Sequence, residues 1–345
     1  MSYTQAASTQ AKQALDLVSE LQQRFVSKLE TLAATQQQAQ TFTAVEWLRN
    51  QGKHGGGMRF ETADGSMIGR GSVNVSQVHY DDDSSKALGS ATAISTIIHP
   101  NNPHAPSVHI HISWTEMKSG QGYWRMMADL NPSIAKPQDT QQFLQALQGT
   151  APTQFTDAKN QGEHYFFIPA LDRHRGVAHF YLEAYNSGDA TADITLAQQF
   201  GQAAIDTYLA ILQQNLNSSP TITAQDKQAQ LAYHSLYFFQ VLTLDRGTTS
   251  GLLVHDQNDV GILGSLPAYV DADLLSSWLS QMQSPQDALL QALIHCLPHT
   301  SPCLVDAQVK AKLAATLRQH YLANPQAIDM QASGHVVPPT VRNHR

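Results

Sequence analysis

Hydrophobic residues recur every three or four positions in two long stretches of the chain, which is the spacing of an amphipathic helix. The pattern predicts a first helix over residues 7–34 and a second over residues 194–216, with Asp193 as the N-cap of the second. The first helix presents one apolar stripe, formed by Leu17, Leu21, Phe25, Leu29 and Leu32. Shorter helices are predicted at residues 140–147, 223–232, 272–282, 286–297 and 306–321.

Elsewhere polar and apolar positions alternate, as they do in half-buried strands. Residues 91–115 are predicted to form two strands joined by a turn rich in proline and asparagine. In the second strand His109 and His111 share one face, because successive side chains of a strand point to opposite faces. The turn is expected to bring His99, near the end of the first strand, close to His109. Further strands are predicted at residues 72–80, 177–185, 236–244, 250–255 and 260–263.

A second polar face is predicted on the strand at residues 177–185, where His179, Tyr181 and Glu183 alternate with apolar residues. If this face lined the same cleft as the histidines of the earlier strand, it would assemble imidazoles and one carboxylate, a ligand set of non-haem iron. Strand alternation also produces solvated outer faces without any function. The pattern leaves both interpretations open.

The order of these elements predicts a single α+β domain, since antiparallel-type strands joined by turns occupy the middle of the chain and helices flank them. We expect residues 1–40 to form an N-terminal helix that packs on the domain. Residues 41–323 are expected to form the domain itself, and residues 324–345 a mobile tail without periodicity.

The composition narrows the choice of partners. Lys+Arg 21 against Asp+Glu 28 gives a net charge of -7, without the basic block that follows a phosphate backbone, so nucleic acid is not an expected partner. The start of the chain lacks a signal-peptide pattern and no apolar run reaches membrane-spanning length, so we expect a cytoplasmic protein. Cys296 and Cys303 make no disulfide framework and are expected to be reduced thiols.

Short motifs follow one another along the chain in the order found in the oxygen-dependent coproporphyrinogen III oxidases of haem biosynthesis, so the chain resembles that family. The resemblance runs from Trp47 to Trp278. It rests on Trp47, Gly55-Gly56-Gly57, the run GSVNVSQVH at 71–79, Ser95, His99-Pro100, Asn102-Pro103, His109, Asp129-Leu130, Pro132, Arg175-Gly176, the run LDRGT at 244–248, Gly251-Leu252 and Leu266-Pro267.

The resemblance implies a broad antiparallel sheet between layers of helices, usually in a homodimer. It implies an enzyme that converts two propionates of coproporphyrinogen III to vinyl groups, with dioxygen as co-substrate and no required cofactor. His109 would be the acid/base, and Ser95 and His99 would orient it or the substrate. Glu183 would lie near the pyrrole nitrogens. The remaining candidates are Asp245 as a catalytic residue, Arg175 and Arg246 as propionate ligands, and His111 as a substrate contact.

Departures from the family pattern leave three hypotheses open. Members usually carry Asn-x-Arg after the histidine, and this chain has His111, Ile112 and Ser113; the Trp-Trp-Phe-Gly-Gly-Gly run becomes Tyr-Trp-Arg-Met-Met-Ala at 123–128. The chain is then a divergent coproporphyrinogen oxidase, a paralogue that oxidises a different small molecule at a metal such as iron, or a non-catalytic tetrapyrrole binder. The metal ligands of the second hypothesis would come from His99, His109, His111, His179 and Glu183.

Overall fold

The computed structural model describes residues 2–38, 40–63, 65–218, 220–335, 341 and 344. Its strands are β1 (Thr43–Leu48), β2 (Gly55–Ala63), β3 (Ile68–His79), β4 (Leu88–Pro100), β5 (Ser107–Met117), β6 (Gly122–Asn131), β7 (Phe167–Ile168), β8 (Arg173–His174), β9 (Ala178–Tyr185), β10 (Tyr269–Val270) and β11 (Cys303–Leu304). Its α-helices are α1 (Thr9–Thr35), α2 (Pro137–Thr150), α3 (Phe155–Phe166), α4 (Ala190–Asn217), α5 (Ala224–Thr243), α6 (Arg246–Val254), α7 (Asp259–Ile262), α8 (Ala272–Ser277), α9 (Gln286–Ile294) and α10 (Ala307–Ala323).

The described strands form one large sheet in the order β1-β2-β3-β4-β5-β6-β9, with every neighbouring pair antiparallel. Because strands β1 to β6 follow each other in sequence, each is joined to the next by a short connection. The remaining strands pair as two-residue ladders, β7 with β8 and β10 with β11.

Helices cover both faces of the large sheet. On one face α1 and α4 pack against the apolar positions of the central strands and bury a continuous core, which includes Phe25, Ile110, Ile112 and Phe200. On the other face α5 and helices α8 to α10 form a second core, to which β4 contributes Ile97. The predicted α+β fold, a broad antiparallel sheet flanked by helices on both faces, is confirmed.

The predicted strands at residues 236–244, 250–255 and 260–263 are wrong, because these residues lie in or next to α5, α6 and α7. Residues 236–242 are buried all round, and a short apolar run of this kind fits a buried strand or a buried helix equally well. The decisive signals are the caps. Thr223 and Asp226 form a capping box at the start of α5, and the Asp245 carboxylate accepts the Thr248 N–H at the start of α6.

Smaller differences concern helix ends. α4 begins at Ala190 with Asp189 as its N-cap, whereas Asp193 accepts hydrogen bonds from Ser187. The polar stretch at 149–162, which carries no clear periodicity, contributes most of α3.

The first part of the tail predicted at 324–345 packs against the domain. Pro325–Met330 forms a 3-10 helix, Gln331 is buried, and the Ala332 N–H donates to the Leu244 carbonyl at 2.9 Å. Positions 336–340, 342, 343 and 345 of that tail lie outside the described residues. Among the described helices, none has the length and hydrophobicity that a bilayer span requires.

The glycine at position 57 is required by close packing in the sheet. A Cβ there would lie 2.3 Å from the Val75 carbonyl oxygen and 2.4 Å from the Trp47 indole nitrogen. We expect Gly57→Ala to lower the free energy of unfolding by about 1–3 kcal/mol, since backbone and indole must move apart. Gly149→Ala is the matched control: nothing lies within 4 Å in helix α2, and alanine should stabilise the protein by about 0.5–1 kcal/mol. Urea unfolding of both variants measures this, and equal changes would contradict it.

Candidate active site

A cavity of about 300 Å³ lies between the polar face of the large sheet and helices α5 and α6. Its floor consists of alternate residues of the central strands, and its roof includes the start of α6 and the 3-10 turn Leu263–Ser265. The volume lies at the lower end of the range for small-molecule sites. Its lining includes titratable side chains, among them His109, His111 and Arg125, which makes it the candidate site.

Strand register sets polar side chains side by side on this floor. Ser95 pairs with His111 across β4 and β5, and His109 pairs with Asp129 across β5 and β6. Ser113 pairs with Arg125 across the same two strands, four residues further along each strand. The shared face of Ser95, His109 and His111 follows the alternation predicted from the sequence.

His109 is held by a buried carboxylate. Its Nδ1 donates to Asp129 Oδ1 at 2.7 Å, and the side chain keeps 15% of its surface exposed toward the cavity, whereas Asp129 is fully buried. Asp129 also accepts Arg175 Nη2 at 2.6 Å and the Asn131 amide at 2.5 Å. Because Nδ1 must carry the proton in this bond, Nε2 of a neutral His109 is an acceptor, and no residue that the structure describes donates to it.

The charges behind His109 stabilise one another. Burial alone would raise the pKa of the Asp129 carboxyl, but the neighbouring Arg175 and His109 outweigh it and hold the pKa well below its ordinary value. Burial opposes the positive charge of Arg175, yet Asp129 keeps its pKa above the ordinary value. Asp129 is therefore ionised and Arg175 protonated throughout the neutral range.

Arg175 is enclosed by protein groups. Its guanidinium lies 4.4 Å from the Phe166 ring centroid and 4.8 Å from that of Tyr237, and its Nη1 donates to Gln240 at 2.6 Å. With 1% of its surface exposed, the side chain supports Asp129 and leaves little contact area to a ligand.

A second buried ion pair, between Arg125 and Glu183, lies where β6 lines the cavity. Arg125 Nε donates to Glu183 Oε2 at 2.5 Å, and Glu183 also accepts hydrogen bonds from the Tyr181 hydroxyl and the Ala184 N–H. A register shift in the β6 and β9 ladder, next to Ala184 at φ 54, places Glu183 behind the guanidinium. Burial would lower the pKa of Arg125, but the Glu183 carboxylate raises it above its ordinary value.

The two other sheet histidines near the cavity are neutral. Burial, then the charge of Arg125 and then His109, lower the pKa of His111 well below its ordinary value; its Nε2 is bonded to the Ser113 hydroxyl at 3.1 Å. Burial and His234 lower the pKa of His99 in the same direction. His99 Nε2 donates to the Ser265 carbonyl at 3.0 Å, and its Nδ1 is 2.8 Å from the Ser107 hydroxyl.

Comparison with known proteins identifies the fold's family. The family model described as coproporphyrinogen III oxidase matches residues 13–297 of the chain. The chain belongs to the coproporphyrinogen III oxidase family.

Curated relatives carry the same family name at low identity. The chain is similar to the human mitochondrial oxygen-dependent coproporphyrinogen-III oxidase, at 26% identity over 278 residues that cover 73% of this chain and 59% of the human protein. It is 25% identical over 301 residues to the Drosophila melanogaster oxygen-dependent coproporphyrinogen-III oxidase, covering 80% of the chain and 75% of that protein. A Rickettsia akari protein of the same name is 28% identical over 243 residues, 66% of the chain and 84% of the relative. The matches span 59% and 62% of the human and rat proteins.

The candidates Asp245 and Arg246 of the family pattern join structural elements. Asp245 caps α6 through Thr248 and accepts the Tyr165 hydroxyl at 3.0 Å. Arg246 donates from Nη2 to the Ile328 carbonyl at 3.1 Å, which ties α6 to the tail. Both residues line the cavity, but these donors and acceptors have protein partners.

The histidines proposed as metal ligands do not converge. His179 donates from Nε2 to the Arg175 carbonyl at 2.7 Å and stacks on Phe166, while His99, His109 and His111 each have the separate partners described above. In the part of the chain that the structure describes, no three His, Cys, Asp or Glu side chains are arranged to hold a metal ion. These donors do not fit an iron centre.

Two residues that shape this site were not among the sequence candidates. Asp129 was noted only as part of a family motif, and Arg125 only as a departure from one. Alternation along β6 puts Tyr123, Arg125, Met127 and Asp129 on one face, so the signal was present. The sequence does not show the strand register, which places Asp129 beside His109 and Arg125 beside Ser113.

Buried histidines make stability dependent on pH. An unfolded chain protonates histidine below about pH 6.5, whereas buried His99, with its lowered pKa, stays neutral in the fold. The unfolded state then binds more protons, so the free energy of unfolding should fall as the pH drops below 6.5, by up to about 1.4 kcal/mol per pH unit for this residue. Urea unfolding between pH 7.5 and 5.0 should show a smaller slope in His99→Gln. Exposed His164→Gln is the control, and an unchanged slope in His99→Gln would contradict the account.

Proposed function

We propose that the chain is an oxygen-dependent coproporphyrinogen III oxidase that converts propionate side chains to vinyl groups. Family membership and the names of the relatives support this activity. The observation that carries the proposal is the array of His109, Asp129 and Arg175. Asp129 accepts the Nδ1–H of His109 and thereby fixes the tautomer, so that the other imidazole nitrogen, Nε2, faces the cavity.

The reaction balances with dioxygen as the sole oxidant. For each propionate, R–CH₂–CH₂–COO⁻ + O₂ + H⁺ gives R–CH=CH₂ + CO₂ + H₂O₂. A C–H bond and the bond to the carboxylate break, two electrons leave the substrate, and dioxygen takes up both electrons and two protons. One proton comes from the substrate and one from outside it, so a group that accepts and returns protons near the reacting pyrrole is the protein's main contribution.

His109 fits that role. Its Nε2 exchanges protons with the substrate, while Asp129 stabilises the imidazolium and keeps the ring in place. Asp129 is in turn held ionised by Arg175, so that the proton stays on the imidazole. The neutral His111 and the hydroxyls of Ser95 and Ser113 offer hydrogen bonds on the same wall.

The same proposal includes a homodimer in the cytoplasm that needs no cofactor beyond dioxygen and binds a tetrapyrrole with propionates. The resemblance of the sequence motifs supports the dimer, and sedimentation of the purified protein tests it. Some relatives are named mitochondrial, so cell fractionation tests the location separately.

The experiment is a turnover assay with coproporphyrinogen III in air and under nitrogen. We expect a product with vinyl groups in air and none under nitrogen. Binding of the substrate without product in air would contradict the proposal and would favour a tetrapyrrole binder. Product formation that requires added iron would favour the metal-dependent alternative.

A further inference from the structure

Among the described residues, Arg125 is the cavity arginine that has no protein partner at either outer (Nη) nitrogen. Arg125 uses Nε for Glu183, and among the described residues neither Nη nitrogen has a hydrogen-bond partner. Both Nη nitrogens keep some exposed surface, so they open onto the cavity that Arg125 lines. Arg175 and Arg246, by contrast, direct Nη groups to protein oxygens.

Glu183 fixes the direction of this guanidinium. Its side chain has no exposed surface and accepts three hydrogen bonds, from Arg125, Tyr181 and Ala184. Because the carboxylate holds the Nε side, the opposite edge with its two Nη groups points away from it. That edge is a planar pair of donors, which matches the two oxygens of a carboxylate.

The pairing of β5 with β6 fixes where Arg125 lies in the cavity. Arg125 lies directly opposite Ser113 in the β5 and β6 register, so their Cβ atoms are about 5 Å apart. Ser113 is the position where the family pattern has arginine, and the cation here comes from the neighbouring strand instead. His111, neutral and bonded to Ser113, adds no competing charge beside it.

We propose that Arg125 binds a propionate carboxylate of the substrate through its two Nη groups, with Glu183 as the residue that positions it. This inference rests on the proposed function, because it takes the substrate to carry propionates. It assigns Glu183 a positioning role, distinct from the catalytic role that the family resemblance implied. The carboxylate binds beside His111 and Ser113, and the Ser113 and Arg125 pair lies four residues along the strands from the His109 and Asp129 pair.

The test compares the binding of coproporphyrin III with that of its tetramethyl ester, both of which are oxidised and do not turn over. The variant is Arg125→Gln with Glu183→Gln, which removes the cation without leaving an unpaired buried carboxylate. We expect its Kd for the free acid to rise about 10- to 100-fold while its Kd for the ester stays unchanged. The matched control is Arg24→Gln with Asp206→Asn, an ion pair between α1 and α4 on the far face of the sheet, which should bind both probes as wild type does.

A second variant places an arginine on β5 instead of β6. Adding Ser113→Arg to the neutral double variant should restore most of the preference for the acid over the ester. Wild-type affinity for the acid in the double variant, equal losses for acid and ester, or no recovery with Ser113→Arg would each overturn the inference.

These outcomes are separate from those of the turnover assay. Acid preference that depends on Arg125 in a protein without turnover would support the inference and contradict the proposed function. Turnover in a protein whose preference for the acid does not depend on Arg125 would support the proposed function and contradict the inference.

Discussion

His109→Gln is expected to lower kcat for coproporphyrinogen III by about 10²- to 10⁴-fold, the usual contribution of a positioned acid/base. Glutamine can keep a hydrogen bond to Asp129, but its amide neither accepts nor releases a proton at neutral pH. The variant should therefore bind substrate and remain folded while it loses turnover. Initial rates of CO₂ release measure the effect.

A histidine outside the cavity provides the control for this substitution. His164 is exposed and bonded to the Ser333 carbonyl, so His164→Gln should keep wild-type turnover. If His109→Gln retained wild-type kcat with the same urea midpoint, His109 would not be the acid/base.

Asp129→Asn is expected to lower the free energy of unfolding by about 3–5 kcal/mol, because it leaves the buried Arg175 guanidinium without its counter-charge. It should also lower turnover, since the neutral amide no longer fixes the tautomer of His109. Urea unfolding measures the first effect and the kcat of the folded variant the second.

A double-mutant cycle separates the ion pair from simple loss of packing. Asp129→Asn combined with Arg175→Gln should destabilise the protein by less than the sum of the two single changes, because the double variant contains no unpaired charge. Additive losses would show that Asp129 and Arg175 are not coupled, and the account of how Asp129 stays ionised would then be wrong.

Much of the fold follows from periodicity. The stripe from Leu17 to Leu32 identifies α1, and the alternation around His109 and His111 identifies β5 and its two faces. The pattern fails where an element is buried on all sides: α5 carries apolar residues around its whole circumference at 236–242, so neither period is visible. There the capping box of Thr223 and Asp226 was the better guide.

The site was predictable only in part. Alternation places His109 and His111 on one face, and the family resemblance names His109. The partners of these histidines depend on register, which pairs residues 20 positions apart such as His109 and Asp129. The role of Glu183 depends on the shifted register between β6 and β9, which no local pattern shows.

The family pattern gave the right family, and the structure adds how its candidate residues are packed. It marked Arg175 as a ligand candidate, whereas the structure encloses that side chain between Phe166 and Tyr237. It marked the missing arginine at Ser113 as a loss, whereas the register brings Arg125 to the same step of the ladder.

The central claim is tested most directly by recording oxygen uptake and CO₂ release together while purified protein acts on coproporphyrinogen III. The account predicts one O₂ consumed for each CO₂ released once the oxygen uptake of a protein-free blank is subtracted, no CO₂ under nitrogen, and a rate that falls at least about 100-fold in His109→Gln. Spontaneous oxidation of the porphyrinogen ring consumes oxygen without releasing CO₂, so the CO₂ signal reports the enzyme reaction. Oxygen uptake without CO₂ release by the wild-type protein would contradict the claim.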